Sequence, residues 1–153
     1  MKYEEIYARS IDQPEAFWAA QADEIEWYSK PETILSKDEN GYPLWYKDGE
    51  LNICYLALDK HIQDGYGDQT AFIYDSPVTQ TEKKYTYSEV KTEVAKLAGG
   101  MQSLGLKKGD TAIIYMPMIP QTAFAMLACA RIGVIHSVVF GGFAPHELAI
   151  RID

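Results

Sequence analysis

At 153 residues with 47% apolar side chains, the chain is long enough to bury one sizeable core and falls outside the disordered and fibrous classes. Its 22 acidic and 14 basic residues, a formal charge of −8, exclude nucleic acid or an anionic membrane as partner, since both are gripped by clustered Lys and Arg. The acid is concentrated: 16 acidic and 6 basic residues precede Ser76, with 6 and 8 from there on, which reads as a solvated acidic layer ahead of a core, or alternatively as a partner-binding acidic surface.

The opening MKYEEIYARS has no basic-then-apolar leader and is too acidic for a transit peptide, so the cytoplasm is the expected location. Asp12-Gln13-Pro14-Glu15 has the form of a capping box with Asp12 as N-cap, predicting a helix to about Tyr28 with Trp18, Ala22, Ile25 and Tyr28 on one face. Lys30 to Gly41 is rich in turn formers and reads as a surface loop, and Leu44-Trp45-Tyr46 as a short strand ending in a tight turn at Lys47-Asp48-Gly49. Asn52 can cap a helix to about Asp64, with Ile53, Leu56, Ala57 and the stem of Lys60 turned inward. Ala71 to Tyr74 and Lys84-Tyr85-Thr86 read as the two strands of a hairpin. Thr86-Tyr87-Ser88-Glu89 is a second capping box, opening a helix whose apolar positions Val90, Val94, Leu97, Met101 and Leu104 step by four and three until Gly105. Lys107 to Asp110 is a polar turn, whose lysines are exposed turn charge or a phosphate contact.

From Ala112 onward the chain is almost free of charge. Ala112 to Met116 and Val134 to Phe140 are continuous apolar runs, the pattern of strands buried on both faces of a parallel sheet. Pro120 opens the helix between them and Gly133 closes it, making a βαβ unit. Arg131 and His136 interrupt the apolar run and three glycines divide it, which argues against a membrane span. The fold class expected is α/β: an incomplete parallel or mixed sheet with a βαβ unit, preceded by a helical N-terminal layer. The division is expected as residues 1–68 for the layer and 69–153 for the start of an α/β domain that continues past Asp153.

Chemistry-bearing residues are few. Cys54 and Cys129 read as buried thiols of a reducing compartment, with no second metal ligand at spacing from either. His61 lies on a polar helix, His136 within a buried strand where a hydrogen-bonded core role is expected, and His146 in the first turn of the last helix, exposed or near a ligand. Phe140-Gly141-Gly142-Phe143 follows a strand and precedes a helix near Pro145, where α/β sheets place ligands. Neither a three-glycine dinucleotide pattern nor GxxxxGK[ST] is present, so the turn is either a bare tight turn or a point of close backbone approach to a ligand.

YMPM at 115–118, LACARIG at 127–133 and HSVVFGGFA at 136–144 together resemble the N-terminal portion of AMP-forming short-chain acyl-CoA synthetases, of the adenylate-forming superfamily. FWAAQADEIEW at 17–27, LWYKDGELN at 44–52 and YTYSEV at 85–90 fit the same region, so the resemblance covers essentially the whole chain. FGGFAPHELAIRID, IYDSPVT and YARSIDQPEAFW look closer to propionyl- than to acetyl-CoA synthetases. The resemblance implies a ligase that uses ATP, CoA and Mg to activate a small carboxylate, with the phosphate loop, acyl pocket and catalytic lysine beyond Asp153. It places Phe140, Gly141 and Gly142 beside the CoA nucleotide and assigns no catalytic residue or metal ligand to these 153 residues. The chain alone is expected to be inactive, to bind no cofactor tightly and to self-associate; the alternative is a non-catalytic interaction or CoA/nucleotide-binding module.

Overall fold

The computed structural model describes residues 2–142 and 144–152 and divides the chain into two units, 1–51 and 52–153. No helix among the described residues is long and apolar enough to cross a membrane.

The first unit is two helices and a hairpin. α1 spans Tyr3–Asp12 and α2 Pro14–Ala22. α1 answers to no expected element, and it displaces the first capping box: Asp12 is its last residue, and Gln13, whose C=O accepts from Phe17 N–H at 2.9 Å, is the N-cap of α2. Pro14 does stand in the first turn, where a missing N–H costs nothing. The helix ends six residues before Tyr28, because the indole Nε1–H of Trp27 folds back and donates to the C=O of Ala22 at 2.8 Å, satisfying a terminal carbonyl that another turn would have used. Only Ala22 of the proposed apolar face is buried. The expected loop contains β1 (Leu35–Lys37), paired antiparallel with β2 (Pro43–Trp45). Asp48 clamps the segment before β1 by accepting from the N–H groups of Thr33 and Glu32, both at 3.1 Å, and these bonds hold its carboxyl below the ordinary range. Gly49 is required here, since a Cβ would stand 2.8 Å from the Trp27 ring.

The second unit begins at Asn52, whose Oδ1 accepts from Tyr55 N–H at 3.1 Å as the sequence predicts for a cap. The helix it opens is wound with π turns at Tyr55–Asp59 and Ile62–Tyr66, and this shifts its inner face. Cys54, Leu58 and Asp59 are buried, while Ile53, expected inside, is exposed. β3 (Thr70–Ser76) and β4 (Thr81–Thr86) form the expected antiparallel hairpin. α3 (Tyr87–Ser103) opens with the expected reciprocal capping box: Glu89 N–H donates to Thr86 Oγ1 at 3.2 Å, and Thr86 N–H to Glu89 Oε2 at 2.8 Å. It closes at Gly105 (φ +96°) through Leu106 N–H to Met101 C=O and Gly105 N–H to Gln102 C=O, the paired bonds of a Schellman ending. Leu104 falls past the helix and is exposed rather than part of the inner stripe.

β5 (Thr111–Met116), α4 (Pro120–Ile132) and β6 (Ile135–Phe140) make the βαβ unit, with β5 and β6 parallel and Gly133 (φ +73°) ending α4. Two clusters form the core. Val90, Val94 and Ala98 of α3 pack with Cys54, Leu58, Tyr85, Phe124 and Ala128, and Ile114 packs with Ala125, Cys129 and Val134. The two strands are not buried on both faces as their composition suggests. β5 and β6 make a two-stranded sheet, so Ile135, Val138 and Tyr115 keep much of their surface in water, and His136 is only half-buried.

Candidate functional site

The carboxyl ends of β5 and β6 bring two loops together. After β5 the chain turns through Pro117 to Ile119, held by Ile119 N–H to Pro117 C=O at 2.9 Å and by the buried Thr122 hydroxyl, which donates to the same carbonyl at 2.7 Å. After β6 the Phe140-Gly141-Gly142 turn leads towards α5 (Pro145–Ile152). Gly141 N–H donates to Met116 C=O at 3.2 Å, which seats the glycine turn on the first loop. The reason for glycine is local. A Cβ on Gly141 would lie 3.0 Å from the Met116 carbonyl carbon and the Pro117 nitrogen, and one on Gly142 2.8 Å from the Phe140 ring. The chain's own backbone and ring therefore occupy the space that the missing side chains leave.

What remains open to solvent is the peptide surface of Gly141 and Gly142 and a half-exposed Phe140 ring, with α5 opening nearby at Pro145. Such a surface can pack against a flat ring and offer backbone groups to a ligand. It carries no general acid or base. Phe143, the last residue of the expected turn, lies outside the described residues. His61, His136 and His146 sit on three separate elements: His61 against the Tyr87 ring at 4.9 Å, His136 in β6, and His146 exposed on α5. Among the described residues no group of three or more His, Cys, Asp or Glu could hold a metal. Cys54 and Cys129 are free and fully buried as expected, and burial pushes both thiols above their ordinary value.

A charged cluster that sequence reasoning missed lies at the far end of α4, away from this turn. Asp59, 8% exposed, accepts from Arg131 Nη2 at 2.5 Å and from Lys91 Nζ at 2.9 Å, joining the π-wound helix to α4 and α3. Burial pushes the Asp59 carboxyl up, but the Lys91 and Arg131 bonds outweigh it and hold the carboxyl below the ordinary range. Asn52 Nδ2 adds bonds to the carbonyls of Ala130 (2.9 Å) and Arg131 (3.2 Å), the last turn of α4. The available signal was one carboxylate inside the apolar run ICYLALDK and one guanidinium inside LACARIG.

Comparison with known proteins finds two family matches in tandem. The family described as acetyl-coenzyme A synthetase N-terminus matches residues 3–57, and the family described as AMP-binding enzyme matches residues 59–153. An uncharacterised protein of Pseudomonas aeruginosa is 58% identical over 153 residues, covering 100% of this chain and 24% of that protein. The human protein named acyl-CoA synthetase short-chain family member 3, mitochondrial, is 52% identical over 152 residues, 99% of this chain and 22% of that one. The acetyl-coenzyme A synthetase of Alkalilimnicola ehrlichii is 46% identical over 153 residues, with 99% and 24% covered. In fold the chain is similar to acetoacetyl-CoA synthetase from Streptomyces lividans, with a TM-score of 0.86 at 24% identity over 99% of this chain and 23% of that one. The chain thus spans about a quarter of the length of the relatives it matches.

Proposed function

The chain belongs to the AMP-binding enzyme family, with the acetyl-coenzyme A synthetase N-terminal region in front, and from that premise we propose that it serves an AMP-forming short-chain acyl-CoA synthetase. The observation that carries the reading is the tandem of two family matches, in order and nearly abutting, along one chain. In the proposed reaction a carboxylate oxygen attacks the α-phosphorus of ATP and expels pyrophosphate. The CoA thiolate then attacks the acyl carbonyl and expels AMP. Mg²⁺ would supply charge neutralisation at the phosphates. Propionate is the preferred acid in this proposal, ahead of acetate, on the strength of FGGFAPHELAIRID and IYDSPVT. The residues of this chain contribute binding surface: Phe140, Gly141 and Gly142 form a wall beside the CoA nucleotide, and the exposed peptide surface of that turn supports the assignment.

By itself the 153-residue chain is proposed to be inactive and to bind ATP or CoA weakly, because the catalytic parts that the resemblance implies lie outside it. It is also proposed to self-associate, and to reside in the cytoplasm, where its two buried free thiols would stay reduced. The test is a chimera in which this chain replaces the matching first quarter of the human relative. Propionate-dependent ATP–pyrophosphate exchange should persist in the chimera and be absent from this chain alone. A well-folded chimera without exchange would overturn the assignment, and robust exchange by the chain alone would overturn its proposed inactivity.

A further inference from the structure

Thr122 stands in the first turn of α4 and is 7% exposed, so its hydroxyl is out of reach of a ligand in solution. That hydroxyl donates to Pro117 C=O at 2.7 Å. The same carbonyl accepts from Ile119 N–H at 2.9 Å, and both of its lone pairs are thereby used. The segment from Pro117 to Pro120 is short of backbone donors, because both prolines lack an N–H, and the threonine supplies one in their place. The proline ring fixes φ at residue 117, which leaves ψ as the remaining freedom there, and a bond to the Pro117 carbonyl removes it. The glycine turn rests on this same segment. Gly141 N–H donates to Met116 C=O at 3.2 Å, and a Cβ on Gly141 would lie 3.0 Å from the Met116 carbonyl carbon and from the Pro117 nitrogen. Those two atoms form the peptide bond that leads into the carbonyl held by Thr122.

We propose that Thr122 is a positioning residue for the CoA step, whose hydroxyl sets the place of Phe140, Gly141 and Gly142 by holding the loop on which their turn is seated. The inference rests on the placing of that turn beside the CoA nucleotide proposed above, and it names the buried side chain that governs it. The link runs from the hydroxyl to the Pro117 carbonyl, through the Met116–Pro117 peptide, to Gly141 N–H. Every member after the hydroxyl is backbone, so no side chain along it can rotate to absorb a shift. The contact at Gly141 is also too close to give way, as the space for a Cβ there is already filled. At the other end, α4 is anchored in the core by Phe124, Ala125, Ala128 and Cys129, all buried, so the hydroxyl is carried on a rigid element. A hydroxyl that merely stabilised the start of α4 would strengthen the unit without favouring one substrate. One that positions the turn acts on CoA alone.

The experiment uses the chimera with the human relative and three variants of it: T122V, which keeps the shape of the side chain and removes the donor, T122S, which keeps the donor, and F140A. T122V should raise KM for CoA about three- to tenfold, the range covered by one hydrogen bond of ordinary strength, with KM for ATP and propionate in pyrophosphate exchange changed less than about twofold. T122S should return KM for CoA to within about twofold of the parent. Should valine unsettle the fold, T122A removes the same donor from a smaller side chain and carries the same expectation. Hydrogen–deuterium exchange of the intact chimera gives a reading that needs no turnover: peptides containing Ile119 and Gly141 should exchange faster in T122V and as in the parent in T122S. Unchanged exchange of those peptides in T122V, or a CoA step weakened no more than pyrophosphate exchange, would overturn the positioning role. If F140A nevertheless raises KM for CoA, the assignment of the turn survives that failure. An F140A chimera with the parent's KM for CoA would overturn the assignment and this inference together.

Discussion

Replacing Asp59 by Asn tests whether its cluster with Arg131 and Lys91 holds the second unit together. The substitution keeps the shape of the side chain and removes its charge. Arg131 then faces a neutral amide, in a place where its Nε already lacks a hydrogen-bond partner among the described residues. Removing one member of a fully buried pair costs about 3–5 kcal/mol, and the Arg131 side chain is 26% exposed, so its share is reduced to about 2 kcal/mol. Lys91 is 42% exposed and adds less than about 1 kcal/mol after solvent screening. D59N should therefore lose about 2–3 kcal/mol at neutral pH. The pH dependence follows from the depressed carboxyl of Asp59. Such a group contributes stability that is full above its unfolded pKa of about 4 and is lost as the pH falls through the lower folded value. The deficit of D59N should accordingly shrink in acid, where the native carboxyl also becomes neutral. Urea unfolding followed by far-UV circular dichroism measures the loss, and Trp18, Trp27 and Trp45, all in residues 1–51, give a separate fluorescence signal for the first unit. A neutral-pH difference under about 0.5 kcal/mol, the level of an ordinary surface substitution, or one that persists undiminished in acid, would refute the reasoning.

T86A should lower stability by about 1 kcal/mol in the same urea experiment, through loss of the cap to Glu89 N–H. G141A places a methyl 3.0 Å from the Met116 and Pro117 backbone and should cost about 1–3 kcal/mol, seen as a lowered Tm. In the active chimera, F140A should raise KM for CoA about tenfold, the loss of about 1.4 kcal/mol of ring packing, while leaving ATP–pyrophosphate exchange unchanged, since that half-reaction needs no CoA. Neither Cys54 nor Cys129 should react with a thiol reagent in the folded chain, and both should react fully in denaturant, because burial suppresses the thiolate as well as access.

Much of the candidate site was legible because its determinants are contiguous. A strand, a Phe-Gly-Gly turn and a helix start can be read in order, and the structure places them at the carboxyl end of a parallel pair. The purpose of Gly141 was not legible. The sequence suggests room for a ligand, whereas its Cβ space is taken by the backbone of the neighbouring loop, 25 residues earlier in the chain at Met116.

The sequence by itself determined the signals that act within one turn. The Thr86–Glu89 box, the Gly105 ending of α3, Asn52 as a cap and the Gly133 ending of α4 each depend on a side chain and a backbone group a few residues apart. Tertiary structure decided everything that needs a distant partner. The π turns re-aim the helix after Asn52 so that Leu58 enters the core, and Arg131 finds Asp59 across 72 residues. It also set the exposure of Ile135 and Val138, although the composition of their strand is that of a buried one. The physical reason is that local free energies are set by neighbours along the chain, whereas burial depends on which surfaces the whole fold brings together.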